Sequence, residues 1–236
     1  MKGNRKFTSL VLLLFVVLLV LAGTAWAENS APVPEKLLAL TFDDGPSEKY
    51  TGKLLDALNE YDAKATFFLV GQNVGSNAEL VRRMIDEGHE VGSHSWSHQD
   101  MLTLSESEIA AELEQADEAI YEAIGSYPTL FRAPYGNIND LLLEQLDVPS
   151  IYWSVDTFDW KTLDAECVTN DILDSAYDGA IILLHDVHET TVNGTIAALK
   201  ELQAEGYTLV TVSELLSRNG DYLEAGVTYY QCKPAK

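Results

Sequence analysis

Seven short apolar runs recur along the chain, each four to six residues long and each followed by an amphipathic stretch. This alternation constrains the fold more than any other feature. The runs, at 37–42, 65–70, 90–93, 130–133, 150–155, 180–184 and 208–212, are too short for buried helices and read as strands. Strands apolar on both sides are covered on both sides, which is the habit of parallel sheets. The stretches between them, at 50–60, 79–87, 105–124, 139–145, 165–177, 195–205 and 212–216, carry helical periodicity. The third is the clearest. Ser105-Glu-Ser-Glu108 is a capping box, and Ile109, Leu113, Ala116 and Ile120 follow on one face. Gly88 and Gly206 each follow an acidic helix end and suit a left-handed cap. Seven βα units predict a single α/β domain at 37–218, either a barrel or a doubly wound sheet. A length of 236 residues accommodates it. No Gly-x-Gly-x-x-Gly follows any strand, which speaks against a dinucleotide fold.

Residues where strands end are the next constraint, because parallel α/β folds build their sites there. The first run exits at Asp43-Asp44 and the third into His94-Ser-Trp-Ser-His98. The fourth exits at Arg132-Ala-Pro-Tyr135-Gly, the fifth at Asp156-Thr-Phe-Asp159-Trp160, and the sixth at His185-Asp186. Five of seven exits thus carry carboxylate, imidazole or guanidinium. Alone, Asp44-Gly-Pro-Ser47 reads as a solvated turn, and two adjacent acids raise each other's pKa. A cation beside them removes that cost. His94 and His98 are four apart, a spacing at which two rings on a helical turn share a metal. Two histidines and one carboxylate leave a coordination position open, the pattern of a catalytic divalent ion.

Taken together, Thr41-Phe-Asp-Asp-Gly45, His94-Ser-x-x-His98, Arg132-x-Pro-Tyr135, Asp156-x-x-Asp-Trp160 and Leu183-x-His185 resemble, in order, the five motifs of the polysaccharide deacetylase family, carbohydrate esterase family four. The resemblance runs from about residue 37 to 216. It implies a distorted (β/α) barrel of about seven parallel strands. It implies Asp43 as general base, Arg132 as its orienting partner, and Asp44, His94 and His98 as ligands of one divalent ion, zinc first, with cobalt or another transition ion as substitutes. It implies His185 as general acid tuned by Asp159, and the Tyr135 backbone N–H as an oxyanion donor. It implies Trp160 as a wall of the substrate groove and Leu183 as the lining of the acetyl pocket. The implied activity is hydrolysis of N-acetyl groups on a glycan, with peptidoglycan amino sugars foremost and chitin oligomers or O-acetyl xylan as alternatives. A catalytically inactive glycan-binding module is the reading from a different class.

The ends and the charge bear on where this happens. Lys2, Arg5 and Lys6 precede a continuous apolar run at 10–21, and Ala25-Trp-Ala27 has the small-x-small form of a signal-peptidase site. The expectation is a signal peptide at 1–27 and export to the cell-wall space, with an uncleaved membrane anchor as the alternative. A leader at 28–36 and a tail at 219–236 flank the domain. Without 1–27 the chain keeps 12 Lys and Arg against 37 Asp and Glu, a net charge of −25. That field argues against nucleic acid and anionic membrane as partners and favours a neutral or cationic substrate, or one that meets only a locally neutral groove. The expected partner is the N-acetylated glycan that the resemblance implies, and the expected state is a monomer. Cys167 and Cys232 either bridge or stay free.

Overall fold

The computed structural model describes residues 36–233. The signal segment and nearly all of the leader lie outside the described residues. Strand β1 (Lys36–Asp43) is the axis of the sheet. From Leu38 onward it is wholly buried, as its apolar composition predicts. Leu38, Leu40 and Phe42 are each removed from solvent. Burying such side chains contributes ~1.5–3 kcal/mol apiece.

Strand β2 (Ala65–Leu69) pairs with β1 through helix α1 (Thr51–Glu60), and β3 (Glu90–Ser93) pairs with β2 through helix α2 (Ala78–Asp86). Helix α3 (Glu106–Ile124) carries the expected capping box between Ser105 and Glu108 and ends at a left-handed Gly125. Beyond it the chain forms β4 (Ser150–Ile151) and β5 (Val155–Asp156), then helix α4 (Ala165–Ser175), β6 (Ile181–His185) and helix α5 (Glu189–Ala204). It finishes with β7 (Tyr207–Leu209), helix α6 (Val212–Ser217) and β8 (Thr228–Tyr229). The sheet order is β3-β2-β1-β6-β5, with β7 on the first half of β1 and β4 paired to β8. All of these pairings are parallel. The helices cover the outside, giving the α/β architecture of a distorted barrel.

Three elements differ from the sequence expectation. The run at 130–133 is no full strand; only Phe131 bridges Ser93 on one side and Ser150 on the other. Arg132 explains the interruption. Its guanidinium occupies the carbonyls of Ile151 and Tyr152, which a neighbouring strand would otherwise use. Pro134 and a left-handed Tyr135 then turn the chain away. The run at 150–155 is split into β4 and β5 at the same place. Helix α5 begins at Glu189 rather than 195, because Gly194 does not break it. A Cβ at Gly194 would lie 2.6 Å from the Ala165 carbonyl oxygen and 2.7 Å from the Val168 Cβ, so glycine is what lets α4 and α5 touch. The segment 219–236 contributes β8, and Cys232 N–H donates to the Gly179 carbonyl at 2.9 Å. Cys167 is exposed on α4 and Cys232 is buried; both are free thiols.

Candidate active site

Register is what assembles the site. Across the β1–β6 pairing, Asp43 lies opposite His185. On β5, Asp156 lies opposite Leu183. The exits of β1, β3, β5 and β6 therefore open at one level, around a cavity of about 430 Å³. Asp43, Asp44, His94, His98, Tyr135, Trp160, Leu183 and His185 line it, as the sequence expectation requires. Arg132 and Asp159 do not. Both are 0% exposed and stand behind the residues that do.

Arg132 Nη1 donates to Asp43 Oδ1 at 2.7 Å and to Thr41 Oγ1 at 2.8 Å. Its guanidinium lies 4.1 Å over the Phe68 ring. Every polar edge of this buried cation is satisfied, which is the condition for tolerating one in a core. The second oxygen of Asp43 faces the cavity, 3.7 Å from His94 Nε2.

Asp44 turns the other way, into a left-handed conformation at φ 71°. Its Oδ1 lies 3.5 Å from His94 Nε2 and 3.1 Å from His98 Nε2. One donor atom from each of the three residues falls within 4.8 Å of the others. The tautomer of His94 is set by its other nitrogen. Nδ1 lies 2.7 Å from the Arg132 carbonyl, which can only accept, so Nδ1 carries the proton and Nε2 presents a lone pair. Asp44 Oδ1 is buried with no hydrogen-bond partner among the described residues. A lone pair and an unpartnered carboxylate oxygen converging on one point fit a divalent cation. Burial alone would raise the Asp44 carboxyl, but the two imidazoles beside it hold it well below the usual carboxylate range. His98 is likewise displaced: burial works against its charge, and Asp44 outweighs burial and raises it.

The loop that delivers the histidines is tied down from outside the cavity. Ser95 Oγ accepts from His98 N at 3.0 Å. Glu112 accepts from Ser97 N at 2.8 Å and from Ser97 Oγ at 2.6 Å. Glu112 was not among the expected residues. Its signal is visible in hindsight of geometry: it occupies the buried stripe of α3 between Ile109 and Ala116, where a charge needs a reason.

On the opposite side, His185 Nδ1 faces Asp159 Oδ1 at 2.9 Å. Asp159 Oδ2 accepts from His185 N and from Thr191 Oγ1, each at 2.7 Å. Burial disfavours the imidazolium, but the Asp159 hydrogen bond and charge prevail and raise His185 to about 9. Its free nitrogen Nε2 is left for the cavity. Behind His185, Asp186 is buried, accepts from Thr51 Oγ1, and is pushed by burial up to about 7.

Tyr135 sits at the rim at φ 61°, its ring edge-on to His98 at 4.7 Å. Trp160 stands 49% exposed on the wall, and Leu183 is buried at the base. Trp153 and Asp156 line the cavity as well. Backbone strain concentrates here. Of seven non-glycine residues with positive φ among the described residues, five are Asp44, Ser95, His98, Tyr135 and Phe158, all at strand exits. Such conformations cost about 1–3 kcal/mol each and persist where a site needs them.

Known proteins resemble this chain in sequence and fold. The sequence model described as polysaccharide deacetylase matches residues 30–148. The peptidoglycan-N-acetylglucosamine deacetylase PgdA of Listeria monocytogenes is 42% identical over 209 residues, which are 86% of this chain and 44% of PgdA. The solved structure of the peptidoglycan deacetylase PdaC from Bacillus subtilis superposes with a TM-score of 0.77 at 40% identity, over 79% of this chain and 92% of that one. A family 4 acetyl xylan esterase from Clostridium thermocellum, solved with a cobalt ion, gives 0.79 at 34% identity, over 83% and 98%. The chain spans less than half the full length of PgdA and PdaC, 44% and 40%. With a family model matching half of the chain and relatives of this identity and coverage, the chain belongs to the polysaccharide deacetylase family, carbohydrate esterase family four.

Proposed function

We propose that this chain is an exported, metal-dependent hydrolase that removes N-acetyl groups from a glycan, with the amino sugars of peptidoglycan as substrate. One observation carries the reading. Asp43 and His185 are register partners on adjacent strands, each locked from behind by a buried ion of opposite sign, and the Asp44-His94-His98 cluster adjoins them. The names of PgdA and PdaC support the substrate class.

Amide hydrolysis needs an activated water, a polarised carbonyl and a proton for the departing amine. Asp44, His94 and His98 would hold a divalent ion, zinc or in its place cobalt, which supplies Lewis acidity and lowers the pKa of water towards ~7. Asp43 takes the proton of the attacking water. Arg132 pairs with one oxygen of that carboxylate and leaves the second oxygen facing the cavity. The Tyr135 amide, held in its left-handed turn, is the donor for the negative charge that develops on the carbonyl oxygen. Leu183 receives the acetyl methyl and Trp160 walls the sugar. His185 gives its Nε2 proton to the leaving nitrogen, while Asp159 holds Nδ1 and stabilises the imidazolium. Proton transfers of this kind contribute roughly 10²–10⁴-fold each.

The test is acetate release from N-acetylated muropeptides by the exported protein, before and after chelation. Loss on chelation and recovery with zinc or cobalt is expected. Turnover undiminished in metal-free protein breaks the mechanism. Mass spectrometry of digested peptidoglycan then identifies which sugar loses its acetyl group, and release from chitin oligomers or acetyl xylan alone would move the substrate assignment.

A further inference from the structure

The cavity wall continues into a row of aromatic rings that the deacetylation chemistry does not use. Trp153 lines the cavity. Tyr152 stacks on it with centroids 4.0 Å apart and planes at 13°. Tyr230 leans on Tyr152 at 4.9 Å and is 48% exposed. Gly136, at the cavity rim, keeps the row continuous with the site. A Cβ there would lie 2.6 Å from the Tyr152 ring and 2.7 Å from that of Trp153.

Tyr230 is held firmly although it comes from the last few residues. Tyr152 N–H donates to the Tyr229 carbonyl at 2.8 Å, and Ser150 N–H to that of Val227 at 2.9 Å. On the far side, Tyr177 Oη donates to Gln231 Oε1 at 2.6 Å, and Cys232 N–H to the Gly179 carbonyl at 2.9 Å. An exposed ring between anchored neighbours loses little entropy when it binds. An aromatic face in a strongly acidic chain suits an uncharged partner, and the C–H face of a pyranose is such a partner.

We infer that Tyr152 and Tyr230 form a subsite for the sugar adjoining the one that enters the cavity, so that the enzyme acts on a glycan strand in preference to a single sugar. This rests on the deacetylase reading above. The occupant is a neutral pyranose ring of the same strand. Selection is through stacking, and it acts on binding rather than on proton transfer.

The test compares wild type, Tyr230→Ala and Tyr230→Phe on N-acetylglucosamine oligomers of increasing length, with the zinc-loaded full chain. For Tyr230→Ala, kcat/KM on the longer oligomers is expected to fall about three- to tenfold, through KM, with the loss growing with length. Tyr230→Phe restores it, because the ring is retained. Equal losses at every length, a fall confined to kcat, or no rescue by phenylalanine overturns the subsite and leaves the deacetylase reading intact. Absence of acetate release by zinc-loaded wild type on every glycan breaks the deacetylase reading instead. Calorimetric titration of the hexasaccharide then decides the subsite: weaker binding by Tyr230→Ala supports it, and equal binding, undetectable binding included, overturns it.

Discussion

The two sides of the cavity are built alike with the charges exchanged. On the β1 side a carboxylate, Asp43, faces the cavity and a buried cation, Arg132, stands behind it. On the β6 side an imidazole, His185, faces the cavity and a buried anion, Asp159, stands behind it. The sign of the buried partner suits the task of the group in front. The cation binds one oxygen of the carboxylate and leaves the other to accept; the anion behind the imidazole favours its protonated, donating form. The supports also differ in reach. Arg132 is bonded to Thr41 and to the carbonyls of Ile151 and Tyr152, so it ties three segments of the barrel together. Asp159 bonds twice to His185 and once to Thr191, so its hydrogen bonds centre on the acid.

Breaking the base is expected to have the largest effect. Asp43→Asn should lower kcat by roughly 10²–10⁴ while metal content measured on the purified protein stays unchanged. Loss of the metal together with activity would show that Asp43 is a ligand and would collapse the division between the two acids.

Removing the support of the base comes next. Arg132→Met leaves Asp43 buried without its cation, and denaturant unfolding should show ~3–5 kcal/mol of destabilisation. A variant as stable as wild type would mean that Arg132 is not the tie its hydrogen bonds describe.

Removing the support of the acid should act on pH rather than on the fold. His185 is raised to about 9 in the folded chain against an ordinary 6.5. Its proton is therefore held below 6.5 in both states. It is lost from the folded protein as pH rises through about 9, and both the acid's activity and its contribution to stability fall over that window. Asp159→Asn should move the basic limb of kcat/KM down towards ~6.5, leaving on the order of a tenth of the activity at mildly alkaline pH. An unmoved limb would assign it to some group other than His185.

Smallest is Thr191→Val, which removes one donor to Asp159 Oδ2. About 1 kcal/mol of stability should be lost, with the rate profile nearly unchanged. A separate acid limb in stability is expected from His89, which burial depresses to about 4. The folded state resists its protonation, so stability falls as pH drops from 6.5 towards 4, and replacing His89 should flatten that limb in a thermal-melt series.

Much of this was legible along the chain, because the relevant physics is local. Continuous apolar runs name buried strands, and the capping box at Ser105 names the start of α3 to within one residue. Residues at strand exits share a face whenever the sheet is parallel, so Asp43, Asp44, His94, His98 and His185 could be brought together without coordinates. Where local reading failed, a long-range contact had overruled it. The helical stretch expected at 195–205 starts instead at Glu189, with Gly194 inside it packed against α4. The run at 130–133 reads as a strand until Arg132 turns inward and takes its neighbour's carbonyls. Glu112 reads as one more surface acid on a helix rich in them.

The sequence by itself determined the sheet's parallel character, the order of the polar exits and the family they mark. The resemblance gave the two acids different partners; only the tertiary structure supplied the physical cause of the division. Asp43 and Asp44 are neighbours with identical side chains, and their roles separate through a backbone turn at φ 71° and a guanidinium 89 positions away in the chain. Neither is encoded at the pair itself. Likewise β8 takes its place through pairing with β4, a contact between segments almost eighty residues apart. Periodicity describes how a segment folds upon itself; the meeting of two distant segments depends on everything packed between them.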